Sequence, residues 1–140
     1  MKPIPFSPAN NHAPIPFNRQ LCLLAQELKE AGLSWQPHVG CFVWDPSGHI
    51  AVPSPFPERV YFILNLNHFI RIFGSEENIE QKLVWLPTWH QARLILKNLS
   101  IDAAEVLKAF ETLKALDEDE DLAALYRLIL QTLKMQQPVT

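Results

Sequence analysis

The chain has 140 residues, enough for one domain with a real core, and a net charge of −3 with 12 scattered Lys and Arg. No Lys/Arg stripe is present to meet a phosphate backbone, which argues against nucleic-acid binding. The longest apolar stretch, Val60 to Phe73, is broken by Asn65, Asn67, His68 and Arg71, so no segment reads as membrane-spanning.

Ten of the twelve prolines lie in residues 1–57, so the first part must be extended and turn-rich while the second can hold long regular elements. Residues 1–17 read as a proline-rich N-terminal arm ahead of a single domain spanning 18–140. The arm repeats a tetrapeptide, Pro3-Ile4-Pro5-Phe6 and Pro14-Ile15-Pro16-Phe17. The PxxP spacing of a polyproline ligand is not cleanly present, so the Ile and Phe side chains are expected to pin the arm to its own domain or to a neighbouring subunit.

Asn18 is placed to cap a helix from Arg19 to Ala31, with Leu21, Leu24, Ala25 and Leu28 at helical spacing and Gly32 as its stop. Ser34-Trp35-Gln36-Pro37 is a connector. Cys41 to Trp44 reads as a strand, Asp45-Pro46-Ser47-Gly48 as a type I turn, and His49 to Val52 as the return strand of a hairpin. Pro53, Pro55 and Pro57 make a stiff linker.

Val60 to about Asn65 reads as a strand covered on both sides, although Phe62, Leu66, Phe69 and Phe73 also share a helical face. The segment divides into that strand and a short helix from about Asn67 to Phe73, ended by Gly74. Ser75 to Asn78 can start one further turn, and Lys82 to Leu86 is the next strand.

Pro87 stops this strand, and Thr88 with Gln91 has the spacing of a capping box for a helix to about Leu99. Ser100 or Asp102 starts another helix; with Asp102, Glu105 would complete a second box. Val106, Leu107, Phe110 and Leu113 are its expected buried face. The acids Asp117 to Asp121 suit the N-terminal dipole of a last helix carrying Leu122, Leu125, Tyr126, Ile129 and Leu133. Leu128 and Leu130 widen its apolar stripe. That width points to a homodimer formed through residues 122–135, the arm, or both. The fold class is α+β: a small, mostly antiparallel sheet of three to five strands, with an N-terminal helix and C-terminal helices packed on it.

Chemistry is harder to locate. Nucleophile elbows, glycine-rich phosphate loops and paired-histidine zinc helices are not found, and no catalytic residue or cofactor is implied. Trp44, His68, Trp85, Trp89 and His90 lie near strand ends and helix starts, where they would line a ligand pocket if the fold gathered them. His38, Cys41 and His49 are weak metal candidates, since H-x2-C-x7-H matches no standard zinc spacing. Cys22 and Cys41 sit among apolar neighbours. With no apolar run behind Lys2 to read as an export signal, they are expected to be reduced thiols of a cytoplasmic protein.

Three stretches carry a resemblance: Ala31-Gly32-Leu33-Ser34-Trp35-Gln36-Pro37-His38-Val39-Gly40, the Trp44-Asp45-Pro46 turn, and Trp85-Leu86-Pro87-Thr88. They resemble a group of small uncharacterised bacterial and phage-associated proteins. In those, A-G-x-x-W-x-P-x-x-G leads into a hairpin and W-L-P-T/S opens a helix. The resemblance implies a recurring fold corner and carries neither an activity nor a site residue. The reading these observations favour is a noncatalytic interaction or accessory protein acting as a homodimer. The alternative is a small-molecule-binding protein or hydrolase-like enzyme with a Trp/His-lined pocket.

Overall fold

Five helices begin at a polar side chain that accepts the backbone N–H three residues on, the local device that stabilises an otherwise orphaned helix start. In the computed structural model, which describes residues 7, 9–116 and 120–136, Asn18 caps α1 (Arg19–Glu30) and Asn65 caps α2 (Leu66–Phe73). Ser75 caps α3 (Glu76–Lys82), Thr88 caps α4 (Trp89–Asn98) and Asp102 caps α5 (Ala103–Leu113). The box at Thr88 is complete: Gln91 N–H donates to Thr88 Oγ1 at 3.2 Å, and Thr88 N–H donates to Gln91 Oε1 at 2.9 Å. At Asp102 the forward bond forms, with Glu105 N–H donating at 2.9 Å. Gly74 ends α2 at φ +94°, a conformation that a side chain would strain. The last helix, α6, spans Asp121–Gln136.

The sheet has three short antiparallel strands, β1 (Phe42–Trp44), β2 (Val60–Phe62) and β3 (Val84–Leu86), with β1 in the middle. Phe42 faces both Phe62 and Leu86 across the ladders, and Trp44 faces Val60 and Val84. Side chains alternate along a strand, so this register sorts even and odd positions onto opposite faces. Phe42, Trp44, Val60, Val84 and Leu86 pack into one core with α1, α4, α5 and α6. Cys41, Val43, Tyr61, Ile63, Leu83 and Trp85 pack into a second with α2 and α3. The α+β expectation holds, at the lower end of the expected strand number.

The expected hairpin does not form. Its turn is present, with Gly48 N–H directed at Asp45 O over 3.5 Å, but residues 49–52 are not a strand and β1 pairs with β2 and β3 instead. The reason is the Asp45 carboxylate, which is fully buried. It accepts the N–H groups of His49 at 3.0 Å and Ile50 at 2.8 Å, the donors that a return strand would have needed. Arg59 reaches back over the same loop. It donates to the carboxylate at 2.9 Å, to Asp45 O at 3.1 Å and to Ile50 O at 2.7 Å. Arg59 and its neighbour Glu58 hold left-handed backbone, φ +59° and +61°. Such strain costs on the order of 1 kcal/mol per residue and persists where surrounding bonds over-determine it.

Other expectations shift by smaller amounts. The segment after Ser75 is a full helix that takes in Lys82, so β3 starts two residues later than read from sequence. In β2 the covering is incomplete, because Phe62 and the following Leu64 face outward. On α5, Phe110 is buried but Leu107 is exposed. The Leu113 side chain, residues 117–119 of the acidic run and the first tetrapeptide of the arm lie outside the described residues. The second tetrapeptide is pinned to its own domain, with Phe17 buried and Ile15 packed on the first core.

The wide apolar surface of α6 is used within the chain. Leu122 to Tyr126, Ile129 and Leu130 are all buried, against α1, α4 and α5. Tyr126, fully buried, donates its hydroxyl to Pro87 O at 2.5 Å, tying α6 to the corner between β3 and α4. At the other end of β3, Lys29 from the last turn of α1 donates to Leu83 O at 3.0 Å and Gln81 O at 2.5 Å.

Two consequences are measurable. Asp45→Asn should lower stability by about 1 to 2 kcal/mol in urea unfolding, because the amide keeps one acceptor oxygen where the carboxylate gave two to the His49 and Ile50 N–H groups. Burial alone would push the Asp45 carboxyl up, but the Ile50 N–H, the Arg59 guanidinium and the His49 N–H outweigh it and hold it below its ordinary 3.8. Its stabilisation is therefore complete above the unfolded value and lost as pH falls through the folded one, and the Asn variant should lack that acid-side loss. Tyr126→Phe should cost about 1 to 2 kcal/mol by the same measurement, since Pro87 O would stay buried without its donor.

Candidate functional site

The five sequence-nominated pocket residues do not share a wall. Trp44 lies in the first core, under α1 and α6, whereas Trp85, opposite Val43 in the register, packs with the second core. Trp89 opens α4 and is partly exposed, with its ring 6.1 Å from Phe110 and the Arg93 guanidinium 5.6 Å above it. His90 is exposed beside it on α4. His68 is exposed on α2, which covers the opposite sheet face, and its ring lies T-shaped to that of neighbouring Phe69, with centroids 6.2 Å apart. Strand parity sends Trp44 and Trp85 to different cores, and the other three are exposed on α2 and α4.

The metal candidates are likewise dispersed in role. His38 is exposed, with Nδ1 2.8 Å from Val39 O, and Cys41 is buried in the second core. His49 is exposed at the turn, its ring 5.9 Å from Phe73. Among the described residues, no three His, Cys, Asp or Glu side chains are gathered as a metal site.

Several polar side chains with chemical potential are committed to the fold. Asp45 and Arg59 close the 45–59 loop, Tyr61 donates to Val52 O at 2.6 Å, and Tyr126 holds Pro87. Burial raises the Tyr126 hydroxyl well above its ordinary value, helped by nearby Cys22, and so keeps it a donor. Trp35 and Trp85 stack at 6.2 Å with planes 12° apart, and both indole N–H groups are buried without an acceptor among the described residues. The stacking suits the second core, and the unmet N–H groups are a cost it carries.

A cavity of about 720 Å³ opens between the arm, the 3-10 turn at 57–59 and the start of α6. Pro14, Pro16 and Phe17 give it apolar walls, and Glu58 and Asp121 give it carboxylates. Arg19 lies 3.7 Å from Glu58, so part of that charge is already met.

The outer sides of α1 and α6 carry two smaller depressions. α1 buries Leu21, Cys22, Ala25 and Leu28, which leaves Gln20, Leu23, Glu27 and Glu30 outward at helical spacing. α6 turns Gln131, Lys134 and Met135 outward, with Arg127 half-buried toward α1. Both are shallow, one of about 400 Å³ floored by Leu23 and Leu24, the other of about 420 Å³ beside Leu130 and Met135. Arg127 lines both; the second is otherwise formed by α6 alone. Leu23 is 46% exposed and Met135 78%. The sequence carries a signal for each helix separately, in the outward i, i+4, i+7 positions, but not for their adjacency.

No protein-family model, no curated protein and no solved structure matches this chain.

The cysteines offer a direct check of this packing. Burial pushes the Cys22 thiol up to about 12, with Glu58 adding to the shift and Arg19 opposing it. Burial also raises Cys41, against the His38 backbone contact. At about pH 8 only a trace of thiolate exists at Cys22, so both residues should resist a thiol reagent in the native protein and react once urea unfolds it. Fast native labelling would contradict the packing of both cores.

Proposed function

We propose that this chain is a noncatalytic interaction or accessory protein that acts as a homodimer. The observation that carries this reading is the exposure of large apolar side chains on the outer sides of α1 and α6, Leu23 beside partly buried Leu24 and Met135 beside buried Leu130. Large apolar side chains grouped on an exterior surface favour association over solvation. The reading is supported further by the use of Asp45, Arg59, Tyr61 and Tyr126 in structural bonds.

A cytoplasmic setting fits the two free thiols, which lie in different cores on opposite faces of the sheet and cannot meet. No helix among the described residues is long and apolar enough to cross a membrane. The scattered cations and net charge of −3 suit protein partners better than nucleic acid.

Sedimentation equilibrium at micromolar concentration should give twice the chain mass of 16.1 kDa. Leu23→Ser combined with Met135→Ser should raise the dimer Kd by about tenfold or more, as loss of apolar anchors does at the centre of an interface. A monomeric mass throughout the micromolar range would count against the reading.

A further inference from the structure

We infer that the cavity between residues 12–18, the 3-10 turn at 57–59 and the start of α6 is the seat of the chain's own first tetrapeptide, Pro3-Ile4-Pro5-Phe6, with Lys2 at its acidic end. That tetrapeptide lies outside the described residues, and its docking is within one chain, independent of any homodimer. The chain reverses immediately after it. Asn10 and Asn11 N–H both donate to Ser7 O, at 3.1 and 2.9 Å, and Ser7 N–H donates to Asn11 Oδ1 at 2.9 Å. Ser7 and Asn11 therefore stand side by side, and the chain entering this turn is directed back along the chain leaving it. Counting outward from Ala9, Phe6 falls abreast of His12, Ile4 of Pro14 and Lys2 of Pro16. Residues 12–18 form one wall of the cavity, so the turn aims the tetrapeptide along that wall.

The chemistry of the cavity suits this occupant. Its volume of about 720 Å³ has room for a few residues of chain. Pro14, Pro16 and Phe17 give it apolar walls for Ile4 and Phe6. The second tetrapeptide has the same sequence, and its Phe17 is buried and its Ile15 packed on the first core, so these side chains do find seats on this domain. Pro3 and Pro5 have no N–H to leave unmet on an apolar wall, and their fixed φ lowers the cost of ordering the segment. The charges agree with the same register. Glu58 and Asp121 line the cavity, and the 3.7 Å approach of Arg19 to Glu58 marks the acidic end as the one nearest α1. Arg19 meets one of the two carboxylates. Asp121 is in no ion pair among the described residues. Lys2, abreast of Pro16, brings a second cation to that end.

The test uses the full chain in two ways. A carbodiimide joins an amine to a carboxylate in contact with it, and peptide mass spectrometry should then find Lys2 coupled to Asp121 or Glu58. In an equal mixture of unlabelled and isotope-labelled chains, both halves of each coupled peptide should come from one chain. Separately, Ile4→Ser with Phe6→Ser, checked for native circular dichroism, should shift the backbone amide resonances of Ile15, Phe17, Glu58 and Asp121 and leave those of β3 unmoved. Amide shifts confined to residues 1–11 would overturn the docking. Lys2 coupled only to other carboxylates, or to none, would overturn the register. Coupled peptides that mix the two isotopes would overturn docking within one chain.

Discussion

The buried Asp45 carboxylate is the constraint on which the rest of this fold depends. The strands have three residues each, too few for their ladders alone to hold a sheet. What brings β2 to β1 is the closure of the intervening loop. The loop leaves β1 at Asp45 and returns at Arg59, and these two residues bond to one another through both backbone and side chain. Asp45 N–H donates to Arg59 O at 3.1 Å on the ladder side, and the guanidinium answers on the other. Burying a carboxylate is costly, and here two backbone N–H groups and one cation offset the cost. The bonds are also directional, so they fix which residue of β2 faces which residue of β1. Because side chains alternate, that register decides the membership of both cores.

Each core is then completed by helices whose starts are locally specified. α2 and α3 close the face carrying Tyr61, Ile63 and Leu83, and α1, α4 and α6 close the face carrying Trp44, Val60 and Leu86. α6 is the centrepiece of the second arrangement, packed against three other helices. Its Tyr126 hydroxyl reaches Pro87, a residue whose missing N–H ends β3 and whose carbonyl would otherwise be left without a donor in the interior. The Trp85-Leu86-Pro87-Thr88 corner is therefore held from three sides: by the β1 ladder, by its own capping box and by α6.

This construction uses chemically capable residues as structural parts and leaves the more conspicuous histidines at the surface. Among the apolar side chains left exposed are Leu23 on α1 and Met135 on α6. These two helices are joined inside by the first core.

Much of the local structure was legible in the sequence, because its causes act over three or four residues. Asn18, Ser75, Thr88 and Asp102 cap helices through bonds that span three positions, and Gly32 and Gly74 stop helices by a backbone preference of their own. The α+β class followed from those elements and from the proline distribution. Pairing was not legible. The turn at Asp45 was read correctly, but its partner strand was not, since the deciding bond comes from Arg59, fourteen positions away. The width of the α6 stripe was visible, yet only the packed structure shows that α1, α4 and α5 cover it. The candidate site followed the same division. Trp44, Trp85, His68 and His90 could be picked out as residue types near element ends, but whether they meet depends on strand parity and on which helices cover each sheet face. Sequence alone therefore determined where elements begin and end, by short-range hydrogen bonds and steric preference. Tertiary structure alone decided which faces are buried and which are left exposed, because that outcome depends on long-range register fixed by a buried charge.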